Sequence, residues 1–364
     1  MALNTVSSDR LSTNVKASNL NSGFGQLGNR RLTINGAMTI AQRSTSVASV
    51  SDGYHTVDRF RVNGTTGTFT MSQESDAPAG FSKSLKMLAT ADISAAAGNL
   101  REIYYAFEGQ DLQLLEKGTS TAKKVTLSFY VKSNVTGLKT VYLLDKDNNR
   151  LNSQNYTINS SATWERKTIT FDGDTTGALD NDNARSLDIH FPIVAGSNYT
   201  GGTQQTAWGA DTVNERVSSS ITQIDTTNEY WQITGVQLEV GSVATDFEHR
   251  SFGQELALCE RYFYRTANDG STTNLLNMAI ESATKAAGGQ PHPTRMRAIP
   301  TIAFGSGVRL FSPATGTITF SLQENRCGSS TMSCAVTISG ATTGQAASLF
   351  QNAADAYIEI NAEL

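Results

Sequence analysis

The chain has 364 residues, more than one hydrophobic core usually serves, so two packed units are expected. Charged residues make up 17% and the net charge is −4, which excludes a disordered polyelectrolyte and gives no nucleic-acid signature. Thirty glycines, only six prolines and abundant Ser, Thr and Asn argue for strands joined by turns and against a helical protein.

Residues 1–31 stand apart. They carry Arg10, Lys16, Arg30 and Arg31 against the single acid Asp9, and their apolar residues follow neither a helical nor a strand period. Such a segment buries too little surface to fold alone and needs a partner, either another chain or its own domain. It has no basic n-region followed by an apolar run, so it does not read as a secretory signal. No apolar run approaches the roughly 18–20 residues that cross a bilayer as a helix.

From residue 32 to 250 the pattern is strand, turn, strand. Leu32–Gly36 alternates and ends on Asn-Gly, and Thr56–Val62 alternates again. Ile103–Glu108 is aromatic-rich. In Lys124–Lys132, the side chains of Val125, Leu127, Phe129 and Val131 share one face. Thr140–Leu144, Thr163–Phe171, Leu187–Phe191 and Tyr230–Val240 complete a series that suits a jelly-roll sandwich, with Trp164 and Trp231 placed in its core. Glu239 is expected on the outer, solvated face of its strand.

Ser251-Phe252-Gly253-Gln254 is a capping box that opens a short helix, with Phe252, Leu256, Cys259 and Phe263 forming its apolar stripe. Beyond it, Leu275–Ser282, Thr301–Phe304, Val308–Phe311, Thr317–Leu322, Cys334–Ser339 and Tyr357–Leu364 read as strands. The fold class is therefore all-β: a jelly-roll β-sandwich over 32–250, a short linking helix, and a smaller C-terminal β-sandwich over 251–364.

The sequence lacks the glycine-rich phosphate loops, the His-Glu-x-x-His motif and the Gly-x-Ser-x-Gly motif. No nucleophile, base and orienting group assemble, so no catalytic residues and no cofactor are expected. His55, His190, His249 and His292 are scattered without metal-ligand spacing; His190 reads as a bonded structural histidine and His292 as exposed. Asp145/Asp147, Asp172/Asp174 and Asp180/Asp182 fall in turns, which their side chains cap. Asp145-x-Asp147-x-Asn149 fails as a calcium loop, because Arg150 and Tyr156 stand where Gly and Glu are needed. A Ca²⁺ between loops at Asp172-Gly173-Asp174 stays open, and no metal ligand is assigned. Cys327 and Cys334 either flank a loop as a disulfide or are small buried thiols, as a reducing compartment would favour.

Sugar binding needs aromatic faces beside hydrogen-bonding side chains. The long loop 196–209 supplies both, and Tyr199, Gln204, Gln205 and Trp208 are its candidate glycan contacts; the competing reading has Trp208 filling a gap in its own domain.

Two sets of residues carry a resemblance. Arg31-Leu32-Thr33-Ile34-Asn35-Gly36, with Gln42-Arg43 and Tyr54-His55-Thr56-Val57-Asp58-Arg59-Phe60, resembles the opening of phage tail-fibre and related virion appendage proteins. Gly235-Val236-Gln237-Leu238-Glu239-Val240-Gly241 followed by Ala244–Ser251 is similar to the end of the carbohydrate-binding-module-like jelly roll in that group, and Pro293–Thr301 to its C-terminal sandwich. The resemblance implies a non-enzymatic virion protein, assembled in the host cytoplasm as a homotrimer. Its N-terminus (Leu3, Val6, Arg10, Leu11, Val15, Lys16, Leu20 and Phe24) would join other virion proteins, and its β domains would face a host glycan or receptor. It implies no nucleic-acid partner and no membrane insertion. The absence of shaft repeats departs from a long fibre and favours a short tail fibre or spike; a capsid-attached head fibre or decoration protein and a free glycan-binding module are the alternatives.

Overall fold

The structure, a computed structural model of the chain, describes residues 30–64, 66–266, 274–351 and 356–364. The expected anchoring positions Leu3, Val6, Arg10, Leu11, Val15, Lys16, Leu20 and Phe24 lie outside the described residues.

Among the described residues, thirteen strands come before the linking helix: β1 (Ser46–Val47), β2 (Gly53–Tyr54), β3 (Phe60–Asn63), β4 (Phe69–Glu74), β5 (Ser84–Ala89), β6 (Leu100–Glu108), β7 (Val125–Ser133), β8 (Gly137–Asp145), β9 (Arg150–Ile158), β10 (Glu165–Phe171), β11 (Arg185–Ala195), β12 (Gly209–Ala210) and β13 (Tyr230–Val240). They form two antiparallel sheets, β1-β4-β5-β13-β7-β10 and β12-β9-β8-β11-β6-β3-β2. Alternation explains how the sheets meet. Val125, Leu127, Phe129 and Val131 of β7 point inward from the first sheet, and Leu187, Ile189, Phe191 and Ile193 of β11 point inward from the second. The rings of Phe129 and Phe191 meet edge to face at 5.3 Å, and Trp231 packs beside Phe191 at 5.5 Å. The indole N–H of Trp231 donates to the Tyr156 hydroxyl at 3.0 Å, so the core leaves that polar group satisfied. Trp164 is a different case. It precedes β10, lies half-buried on the outer surface and donates to Asp76 at 3.2 Å, so it is not a core residue.

Leu32–Gly36 and Thr56–Arg59 are not strands. Their alternation is real, and Ile34 and Val57 reach the core, but polar side chains are buried beside them and the backbone turns with positive φ at Asn35 (57°) and Arg59 (73°). The Asn35 side chain donates to the Ile40 and Asp58 carbonyls at 2.8 and 3.0 Å and accepts from the Ile40 N–H at 3.0 Å. Gly36 lies against β13: the Val236 N–H donates to its carbonyl at 2.9 Å, and a Cβ at Gly36 would sit 2.1 Å from the Val236 oxygen. The residues that carry the family resemblance thus seat residues 31–43 on the end of β13. Glu239 belongs to the same corner. It is buried, not solvated, and accepts from the Thr245 N–H and hydroxyl at 2.8 and 2.7 Å.

The helix Phe252–Glu260 opens with the expected capping box, Ser251 accepting from the Gln254 N–H while Gln254 accepts from the Ser251 N–H. Its buried side chains are Glu255 and Cys259, whereas Phe252 is 64% exposed and is not part of an apolar stripe. Glu255 turns inward because Arg31 is fully buried opposite it, and the two form an ion pair.

The last ten strands are β14 (Phe263–Arg265), β15 (Asn274–Ser282), β16 (Lys285–Pro291), β17 (Thr301–Phe304), β18 (Val308–Ser312), β19 (Gly316–Ile318), β20 (Phe320–Asn325), β21 (Thr331–Ile338), β22 (Ala346–Gln351) and β23 (Ile358–Asn361). The seven-stranded sheet runs β19-β18-β22-β15-β16-β21-β20. Its two end strands are separated in the chain by Thr319 alone, so the stretch expected as one strand serves both edges and the sheet wraps round on itself. The remaining strands form a second sheet, β14-β23-β17, which faces the first sandwich. Tyr262 belongs to the large core of that sandwich and Leu364 packs on it, while Glu363 pairs with Arg43 and Arg59. His292 is buried here rather than exposed, bonded to the Tyr264 hydroxyl at 2.8 Å and the Gly328 carbonyl at 2.9 Å. Cys259, Cys327 and Cys334 are buried free thiols.

Candidate functional site

The loop between β11 and β13 lies across the outer face of the second sheet. Tyr199, Gln204, Gln205 and Trp208 are all half-buried there, and the side-chain polar groups of Gln204, Gln205 and Trp208 bond within the domain. Gln204 accepts from Asn155 at 2.7 Å and donates to Ser153 at 2.9 Å. Gln205 donates to the Ala207 carbonyl at 2.7 Å. Trp208 donates to the Asp172 carbonyl at 2.7 Å and packs on the large core, whereas Tyr199 packs on a separate cluster around Tyr142, Leu144 and Leu151.

Beneath Trp208, 5.2 Å from its ring, the Lys117 ammonium occupies an oxygen cage. It pairs with the buried Asp145 and with Asp174 at 3.0 Å, and donates to the Gly177 and Thr176 carbonyls at 2.8 and 3.2 Å. Asp174 also takes two bonds from Arg150, at 2.7 and 2.9 Å. Arginine and lysine thus fill the place left open for a calcium ion at Asp172-Gly173-Asp174. Asp172 itself is exposed and pairs with Lys124 at 2.6 Å. Among the described residues, no group of three His, Cys, Asp or Glu side chains is placed to hold a metal. Asp145 and Asp182 accept from the backbone N–H groups of Asn148 and Ala184 at 3.0 and 2.8 Å, as turn-capping carboxylates do, whereas Asp147 reaches across to the Asp180 N–H at 2.9 Å and ties two loops together.

A cleft of about 700 Å³ lies between β2, β3 and the three-stranded sheet. Arg43, Tyr54, Arg61, Arg185, Arg265 and Glu363 line it. Each guanidinium is paired with a carboxylate. Arg61 pairs with Asp52 at 2.6 Å and donates to the Tyr104 hydroxyl. Arg185 grips Asp188 through two nitrogens, one at 2.7 Å, and lies 4.4 Å over the Tyr104 ring. Arg265 holds Glu359 at 3.0 and 3.1 Å. Arg43 lies 3.4 Å over the Phe263 ring and pairs with Glu363 at 3.3 Å. Behind it, burial pushes the Asp58 carboxyl up to about 6, against the opposing pull of Arg43 and two hydrogen bonds from Gln42.

The bracing continues into the sheet. His190 is buried between the rings of Tyr142 and Tyr104, at 4.5 and 5.0 Å, and bonds Glu102 at 2.9 Å and Asp188 at 3.4 Å. Burial alone would lower the His190 value; Glu102 and Asp188 outweigh it and hold the imidazole above its ordinary range. Burial opposes ionisation of Glu102 as well, but His190, Tyr142 and Asn63 together keep its value below that of a free carboxylate. This relay is the bonded structural histidine expected from the sequence, and it stiffens the wall that presents Arg185. The side-chain carboxylates lining the cleft, Glu359 and Glu363, are held by arginines. Such an arrangement can orient and hold a polar ligand.

Local pattern did not reveal the cleft. Arg43 and Tyr54 entered only as parts of a family motif, and Arg61, Arg185 and Arg265 not at all, because the five come from five separate strands or loops.

No protein-family model matches the chain. No curated protein matches it. Among solved structures it is similar, over 58% of its length, to 22% of the enzymatically active domain of tailspike protein 4 of bacteriophage CBA120, at 15% identity and a TM-score of 0.32. Over 56% of its length it is similar to 99% of the family 11 carbohydrate-binding module of a Clostridium thermocellum cellulosomal cellulase, at 14% identity and a TM-score of 0.28. Over 55% it is similar to 94% of the CBM22-1 xylan-binding domain from Paenibacillus barcinonensis, at 12% identity and a TM-score of 0.26. These likenesses are distant, and the functional reading rests on the chain's own geometry.

Proposed function

We propose that this chain is a non-catalytic carbohydrate-binding β-sandwich protein whose ligand site is the arginine-lined cleft. The observation that carries the reading is the cleft itself: about 700 Å³, with four guanidiniums each held by a carboxylate partner. Preorganised donors on a rigid sheet suit recognition of a hydroxyl-rich ligand, since little ordering remains to be done on binding. The loop candidates Tyr199, Gln204, Gln205 and Trp208 are the second place a sugar could touch. Affinity electrophoresis through gels containing bacterial surface polysaccharides tests the reading. The wild-type chain is retarded by at least one of them; Arg61→Gln loses the retardation and Trp208→Ala keeps it. The reverse pattern moves the site to the loop, and no retardation in any gel refutes the reading.

The finer proposal is that the protein works on a phage particle, as a homotrimeric short tail fibre or spike, or as a capsid-attached head fibre, with residues 1–31 joining it to other virion proteins. The sequence motifs at 31–60 and 235–251 support it. Deleting residues 1–31 then yields a folded trimer absent from particles; particles that still carry the truncated chain contradict this assignment.

A further inference from the structure

We infer that the cleft recognises an acidic saccharide, through a carboxylate seated against Arg43. This deepens the glycan-binding reading and rests on it for the sugar, while the acidic part stands on the cleft alone. Four guanidiniums, those of Arg43, Arg61, Arg185 and Arg265, line the cavity against two side-chain carboxylates, Glu359 and Glu363. Asp52 and Asp188 neutralise Arg61 and Arg185 from behind rather than from the cavity side.

The decisive group is Arg43. Its side chain is 7% exposed, yet its Nη2 is buried without any hydrogen-bond partner. Burying a donor without an acceptor is costly, most of all for a charged group, so native structures rarely leave one. The other parts of that guanidinium are fixed: the Phe263 ring lies beneath its plane, and Glu363 holds Nη1 at 3.3 Å. That nitrogen has no accessible surface of its own, so an oxyanion in the cavity reaches it only after a small shift of the lining, and then supplies the missing acceptor. A planar guanidinium prefers a carboxylate or a phosphate-type oxyanion, which it meets with two parallel N–H groups. Arg265 is tied to the same place, because its Nη1 donates to the Arg43 carbonyl. A cavity of this size accommodates a short saccharide around the anchored acid, with Tyr54 and His55 on the same lining.

The test is isothermal titration of the full chain with three probes: trigalacturonate, the neutral trigalactose of the same linkage, and inorganic sulfate. Trigalacturonate is expected to bind at least about tenfold more tightly than trigalactose, one charge-assisted hydrogen bond being worth about that factor or more. Arg61→Gln and Arg265→Gln lie on opposite walls, and each is expected to weaken the acidic probe about tenfold while leaving the melting temperature of the free protein within a few degrees. Misfolding of one variant leaves the other, and the comparison of probes on the wild-type chain needs neither. Equal binding of the neutral and acidic trisaccharides overturns the inference but leaves the glycan reading in place. Sulfate binding as tightly as trigalacturonate, with trigalactose inert, removes the sugar and the glycan reading with it. Absence of binding by all three overturns the inference outright.

Discussion

Replacing Lys117 by Met probes how the sandwich tolerates charge in its interior. The ammonium is the cation of a cage built by Asp145 and Asp174, with the Thr176 and Gly177 carbonyls completing it. Both carboxylates are nearly inaccessible, at 0% and 3% side-chain exposure. Removing one partner of a buried ion pair typically costs about 3–5 kcal/mol, because the charge left behind has lost its compensation. Two features pull the expectation to the lower end. Asp174 retains both bonds from Arg150, and Asp145 retains the Asn148 N–H at 3.0 Å and its side-chain amide. We therefore expect a loss of about 3 kcal/mol, which for a domain of this size is a fall of roughly 6–12 °C in melting temperature. Circular dichroism melts of wild type and Lys117→Met measure it. The vacated cage offers two carboxylates and two carbonyls, the donor type that calcium prefers, so millimolar Ca²⁺ should recover part of the loss in the variant and leave wild type unchanged. A melting temperature within 1 °C of wild type would refute the reasoning, since it would mean that the ammonium adds nothing to Asp145 and Asp174.

Other predictions concern the buried relay and the corner that seats the chain's opening. Because the folded-state value of His190 is raised, its stabilisation is complete below the ordinary histidine range and disappears as pH climbs through the raised value. The stability gap between wild type and His190→Gln should thus be about 3 kcal/mol near pH 6 in denaturant titrations and shrink toward pH 9; a gap independent of pH contradicts the relay. Glu102 does not disturb that window, its lowered value placing its own loss of stabilisation in acid. Gly36→Ala forces a methyl to within 2.1 Å of the Val236 carbonyl oxygen, so the corner must open, and a loss of about 2 kcal/mol or more is expected in the same assay. An unchanged melt would show that residues 31–43 are not seated on β13.

Where periodicity coincided with burial, the sequence was legible. Val125, Leu127, Phe129 and Val131 alternate because one face of β7 meets the core, and Ser251 with Gln254 form a cap because both partners lie within one turn. Alternation misled at 32–36 and 56–59, where side chains such as Asn35 and Asp58 are buried to bond backbone rather than to pack. A polar residue gives no local sign of which backbone groups it will satisfy. Trp164 misled for the opposite reason: its size suggested core, but it caps an edge through Asp76. The cleft was out of reach altogether. Its arginines are tens to hundreds of positions apart in the chain and converge only because β14 and β23 return the C-terminal residues to the first sandwich. Glu255 and Glu239, each read from sequence as surface groups or passed over, are buried partners that a hydrophobic count cannot identify.

The most direct test of the account is a crystal structure of the chain soaked with trigalacturonate, together with chromatography of the saccharide recovered from the incubation. Sugar rings are expected in the cleft with an acid group against Arg43, and trisaccharide is expected back at full length. Sugar bound at Trp208 and not in the cleft, or a saccharide returned shortened, would contradict it.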